Sequence, residues 1–142
     1  MIRFLYSVLF LVCAFSVKAQ NVNLTVEVSN TKNSNGKVTI SLYNSEKTFL
    51  KSPLKTITAE IKSNKSTVVF TNLEKGVYAV FAFHDENNNG KMDTNFVGMP
   101  KESVVCSNKA KGFMGPPKYE DAKLNLIKDS KIELPFSNKQ HQ

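Results

Sequence analysis

Residues 84–95 read His84-Asp85-Glu86-Asn87-Asn88-Asn89-Gly90-Lys91-Met92-Asp93-Thr94-Asn95. They crowd oxygen-bearing side chains around one glycine, directly after an apolar run. Hard cations such as calcium take six to eight oxygen ligands at about 2.3–2.6 Å. Asp85, Asn87, Asn89, Asp93 and Asn95 supply side-chain oxygens at alternating positions, and Lys91 can add its backbone carbonyl. Zinc is a poor match, because His84 is the single imidazole nearby and no thiol accompanies it.

The spacing follows the start of an EF-hand loop, with Asp85, Asn87 and Asn89 at positions one, three and five, Gly90 at the turn and Asp93 at position nine. The twelfth position is Phe96, which cannot coordinate, and no helix pair flanks the loop. A calcium loop between β-strands is therefore expected, completed by water, by Asn95, or by a remote carboxylate such as Glu120 or Asp121. The metal-free alternative is an Asx-rich turn, since Asn and Asp bond their own backbone and tolerate left-handed conformations. Local charge favours the cation. Asp85, Glu86 and Asp93 lie close together with only Lys91 to offset them, and like charges held together are costly unless neutralised. So few charged ligands imply weak affinity, on the order of 10⁻⁴–10⁻³ M.

His84 next to Asp85 also raises acid–base catalysis, and with it an envelope hydrolase or isomerase. The bland role is a structural hydrogen bond. Lone serines such as Ser103 and Ser107 carry no nucleophile-elbow motif.

The elements that must position these residues begin after an export signal. Met1-Ile2-Arg3 is basic, residues 4–17 are almost wholly apolar, and Val17-Lys18-Ala19 resembles a processing site, so cleavage is expected after Ala19. The apolar run is shorter than the roughly 20 residues of a membrane-spanning helix. Residues 20–142 then form one domain with seventeen basic and twelve acidic residues, a net of +5. The lysines are scattered, whereas nucleic-acid binding wants a patch or stripe. One cysteine is left, Cys106, read as a small buried apolar residue.

Val22, Leu24, Val26 and Val28 alternate with polar residues, as do Val38, Ile40 and Leu42, then Ile57, Ala59 and Ile61. The first two runs, joined by a polar Asn/Gly link, read as a hairpin. Residues 67–70 make a fourth strand. The 77–83 run is apolar on both faces and belongs at the centre of a sheet. Ala122, Leu124 and Leu126 alternate again, then Ile132, Leu134 and Phe136. A long loop over 85–120, rich in Gly and Pro, has little periodicity. The tail from residue 137 is expected to fray. About seven short strands without a convincing helix predict a single antiparallel β-sandwich, prealbumin-like or immunoglobulin-like.

The 70–80 segment, Phe70-Thr71-Asn72-Leu73-Glu74-Lys75-Gly76-Val77-Tyr78-Ala79-Val80, resembles the strand–turn–strand signature of prealbumin-like and carboxypeptidase-regulatory-like sandwiches. There a Gly starts a strand whose Tyr packs across the sheet. Phe83-His84-Asp85-Glu86-Asn87, the 90–102 run from Gly90-Lys91-Met92-Asp93 to Met99-Pro100-Lys101-Glu102, Ser107-Asn108, Gly115-Pro116-Pro117 and Tyr119-Glu120-Asp121-Ala122 resemble the secreted family called domain of unknown function 2141. The resemblance implies a bacterial envelope protein with a prealbumin-like sandwich and no assigned activity. Asn88 departs from it where the family often has Gly, and Val104-Val105-Cys106 replaces a Tyr-Gly-Phe-like segment.

The expected function is a non-enzymatic periplasmic or cell-surface module. In it calcium orders the long loop, and the loop presents a face of Phe96, Met99, Lys101, Phe113, Pro116, Pro117 and Tyr119 to an envelope protein or glycan. A small apolar-ligand carrier is the remaining possibility and requires a cavity between the sheets.

Overall fold

A computed structural model describes residues 20–137. The expected export signal and most of the tail lie outside the described residues. Eight strands form two packed sheets. The smaller contains β1 (Val22–Ser29), β4 (Lys65–Leu73) and β8 (Ser130–Pro135), in the order β4-β1-β8. The larger contains β2 (Lys37–Tyr43), β3 (Lys55–Glu60), β5 (Gly76–Asp85), β6 (Val104–Cys106) and β7 (Leu124–Leu126). Its order is β3-β2-β5-β6, and β7 also pairs with β5. A 3₁₀ turn (Ser107–Lys109) and one helical turn, α1 (Tyr119–Ala122), complete the described elements. Among the described residues no helix is long and apolar enough to cross a membrane.

The period-two pattern of β1 explains its place. Val22, Leu24, Val26 and Val28 are buried on one face while their neighbours are partly exposed. They meet Val38, Ile40, Leu42, Val68, Phe70, Val80 and Leu134 in the core between the sheets. Fully burying one such aliphatic or aromatic side chain is worth roughly 1.5–3 kcal/mol. Gly76 starts β5, and Tyr78 packs into this core with its hydroxyl donating to the Glu74 carbonyl at 2.7 Å.

Three expectations need correction. β1 and β2 are not a hairpin. β1 pairs with β4 and β8, β2 pairs with β3 and β5, and the 30–36 link crosses between sheets. Alternation alone records which face is buried, not which strand lies alongside. The sandwich is also not wholly antiparallel, because β8 runs parallel to β1, from Leu24 opposite Ser130 to Ser29 opposite Pro135. Finally, the 85–120 segment, expected as one long ordered loop, is interrupted by a strand and a 3₁₀ turn. β6 returns along β5, pairing Phe81 with Cys106 and Phe83 with Val104. β6 is only three residues long, too short for a visible period.

A second apolar cluster covers the outer face of the larger sheet. Tyr43, Phe49, Ala79, Cys106 and Ala122 are buried there, and Tyr119 packs against them. Phe49 is edge-on to both Tyr43 and Tyr119, with ring centroids 5.3 and 5.6 Å away. Ser107 ties this layer to β5. Its hydroxyl accepts from the Val80 amide at 2.9 Å and donates to the Ala122 carbonyl. Replacing Ser107→Ala strands the buried Val80 N–H, and a loss of about 1–3 kcal/mol in denaturant unfolding is expected.

Cys106 is a free, buried thiol whose pKa burial pushes up to about 12 from 9.0. A raised folded pKa means that the native chain holds the thiol proton where the unfolded chain has lost it. This group's contribution to stability is therefore full below about pH 9 and declines as pH rises toward 12. Native Cys106 is expected to resist iodoacetamide at pH 8 and to react promptly once denaturant is added, as read by mass spectrometry.

Candidate metal centre at the end of β5

β5 is hydrogen-bonded on both edges, to β2 over Ala79–Asp85 and to β6 and β7 on the other side. It delivers His84 and Asp85 to one end of the sandwich, His84 with no exposed surface and Asp85 at 2%. The 33–36 turn lies over this end. Gly36 has φ +69, and a Cβ there would come within 1.8 Å of the Asp85 carbonyl oxygen. Only glycine allows that approach.

His84 is enclosed at this end of the sandwich. Its Nε2 lies 2.7 Å from the Asn35 carbonyl, which makes Nε2–H the donor. The ring stacks on Phe136 at a centroid distance of 6.3 Å, and Nδ1 is buried without a partner among the described residues.

Asp85 closes the loop from inside. One carboxylate oxygen accepts from the Asn89 amide at 3.1 Å and the other from the Gly90 amide at 2.8 Å. The Asx-turn geometry is thus present, and each oxygen still has a second lone pair. Asn87 Oδ1 accepts from Asn89 N–H at 3.2 Å, and Asn89 Oδ1 accepts from Lys91 N–H at 2.8 Å. The amide groups of Asn87 and Asn89 both donate to the Asp93 carboxylate, at 2.6 and 3.1 Å. Asn88 takes φ 58, the left-handed region where the resemblance expects Gly.

A small hairpin then brings in a further carboxylate. The Lys101 amide donates to the Asp93 carbonyl at 2.8 Å, and Thr94 bridges Pro100. Asn95 caps the tip by accepting from Val97 and Met99 amides, at 3.0 and 2.9 Å, and Gly98 turns with φ +83. As a result Glu102 Oε2 accepts from the Asp93 amide at 3.0 Å. Burial raises the Glu102 pKa against the hydrogen bond from the Asp93 amide, and the Asp85 and Asp93 charges push it further up. Glu102 Oε1 is buried with no hydrogen-bond partner among the described residues. Lys32 pairs at 3.5 Å with a different carboxylate, Glu86.

The geometry therefore joins Asp85, Asn87, Asn89 and Asp93 in one network. Lys91 is exposed, and Asn95 spends its side-chain oxygen on its own turn. Glu120 and Asp121, offered as remote carboxylates, stand instead in α1, next to β7, which pairs with the opposite end of β5. Glu102 is the carboxylate that the fold brings beside Asp93. Among the described residues, no ready-made group of three or more His, Cys, Asp or Glu side chains has metal-ligand geometry. The oxygen set here depends on asparagine amides as well.

The face assigned to the long loop divides. Phe96, Met99 and Lys101 ride on the hairpin after Asp93, with Phe96 wholly exposed. Phe113, Pro116 and Pro117 lie in the 110–118 segment leading to β7, and Tyr119 is half-buried, donating to the Val77 carbonyl at 3.3 Å.

Residues 26–134 match the model of the bacterial family described as "Uncharacterized protein conserved in bacteria (DUF2141)". The chain belongs to this family. No curated protein and no solved structure matches it. Within this DUF2141 chain, the one site residue that sequence reasoning left without a role is Glu102. Its signal was the turn Asn95-Phe96-Val97-Gly98, which folds Lys101 back beside Asp93.

Gly36→Ala forces a side chain into the Asp85 carbonyl at a positive φ. A loss of about 3 kcal/mol or more in denaturant unfolding is expected. Asn35→Ala leaves the backbone carbonyl that holds His84 and should change stability by less than about 1 kcal/mol.

Proposed function

We propose that this DUF2141 chain is an exported, non-enzymatic β-sandwich module that binds calcium at the end of β5. The ligand set comprises Asp85, Asn87, Asn89, Asp93 and Glu102, with the Lys91 carbonyl and water filling the remainder. The observation that carries the reading is the buried, unpartnered Glu102 Oε1 beside two further carboxylates. A divalent ion would neutralise that repulsion and satisfy the orphaned oxygen together. The Asn87 and Asn89 oxygens each keep a second lone pair beside the backbone N–H they accept.

Calcium would fix the hairpin that carries Phe96, Met99 and Lys101, giving the module a rigid recognition face for an envelope protein or glycan. The enzymatic alternative is disfavoured by His84, whose ring is enclosed by Asn35 and Phe136. The apolar-carrier alternative finds little support in a core where Leu24, Ile40, Leu42, Phe70 and Leu126 fill the space between sheets. Export rests on the basic, apolar and small-residue order of residues 1–19.

Isothermal titration calorimetry and thermal melting test the metal. At roughly ten to a hundred times the dissociation constant, calcium should raise the melting temperature by about 5–10 °C. Glu102→Gln and Asp93→Asn should each remove most of that increase, and Glu120→Gln should leave it intact. Absence of binding heat, with melting temperatures equal in calcium and chelator, would refute the reading.

A further inference from the structure

The 110–118 segment carries side chains that neither the core nor the metal centre uses. Phe113 and Met114 form its apex and are 91% and 95% exposed. Lys109, Lys111 and Lys118 flank them, and no acid occurs between Glu102 and Glu120. None of these three lysines is in an ion pair among the described residues. The apex is a tight turn, since a Cβ at Gly112 would meet the Gly115 carbonyl oxygen at 1.7 Å and Met114 has φ 54. Its base is held on both sides, by buried Ser107 before it and by buried Ala122 after it.

We propose that this apex docks on an anionic lipid surface. Phe113 and Met114 enter the boundary between headgroups and acyl chains, and Lys111 and Lys118 meet the lipid phosphates. Two protruding side chains are too small for a stable protein interface, which buries about 800 Å² per partner. A bilayer offers no matching pocket and requires none. Apolar insertion within a basic surround is the combination by which peripheral segments hold to anionic membranes. A soluble anionic polymer would engage the lysines and leave the two apolar side chains in water. The proposal does not depend on calcium, because the segment contributes no ligand to the candidate centre.

Co-sedimentation with vesicles of phosphatidylglycerol and phosphatidylcholine tests it, using the purified chain in chelator, with phosphatidylcholine vesicles as the reference. The chain should sediment with the anionic vesicles, less so as salt rises. Phe113→Ser/Met114→Ser and Lys111→Gln/Lys118→Gln should each weaken binding by about tenfold or more. All four positions are exposed, so melting temperatures should match the parent chain. The proposal is overturned if the parent chain ignores anionic vesicles in chelator, or if the Phe113/Met114 variant binds as the parent does. Retention on an acidic protein without vesicle binding would assign the apex to a protein partner and equally overturn it.

Discussion

A strand with hydrogen bonds on both edges and cover on both faces cannot slide, and β5 is such a strand. β2 holds one edge over seven residues while β6 and β7 share the other. Tyr78, Val80 and Ala82 point into the core, and Ala79 joins the outer cluster with Phe81 against it. A one-residue slip would exchange these two sets. The position of Asp85 is therefore fixed by packing far from it, and the contact of Gly36 with its carbonyl fixes the end of the strand as well. Everything proposed for the acidic loop depends on that rigidity.

The loop after Asp85 has two parts joined at Asp93. Residues 85–90 are closed by Asp85 accepting from backbone amides, a device that operates without metal. Residues 93–102 are closed by a hairpin with Asn95 at its tip. Each part is sound alone, but their junction sets Asp93 against Glu102 and near Asp85. The cost of the arrangement lies in charge, not in backbone geometry. A bound cation, as proposed, would offset that excess of negative charge, whereas a further turn would not.

Much of this was legible in the sequence because burial leaves a period. The alternations at Val22, Val38 and Ile57 predicted β1, β2 and β3, and the unbroken apolar run predicted the central place of β5. Partner choice was not legible. The same alternation in β1 is compatible with β2, β4 or β8, and only closure of the two sheets selects the last two. β6 escaped because three residues cannot show a period, and its Val104 and Val105 are only partly buried. At the site, Asp85, Asn87, Asn89 and Asp93 were readable from spacing. Glu102 was not read, although the Asn95–Gly98 turn that brings it back beside Asp93 is local.

The parallel pairing of β1 with β8 has a consequence for how the molecule comes together. Asn23 and Asp129 are joined by hydrogen bonds across 106 residues, and Leu24 faces Ser130 in the same register. Closing so long a stretch of chain is entropically slow. The middle strand of the smaller sheet stays half-paired until β8 has been synthesised. Until then β1 presents an open edge, the kind of surface on which unfinished chains aggregate. Assembly of this sheet thus waits on β8, and a nascent chain benefits from anything that shields β1 in the interval.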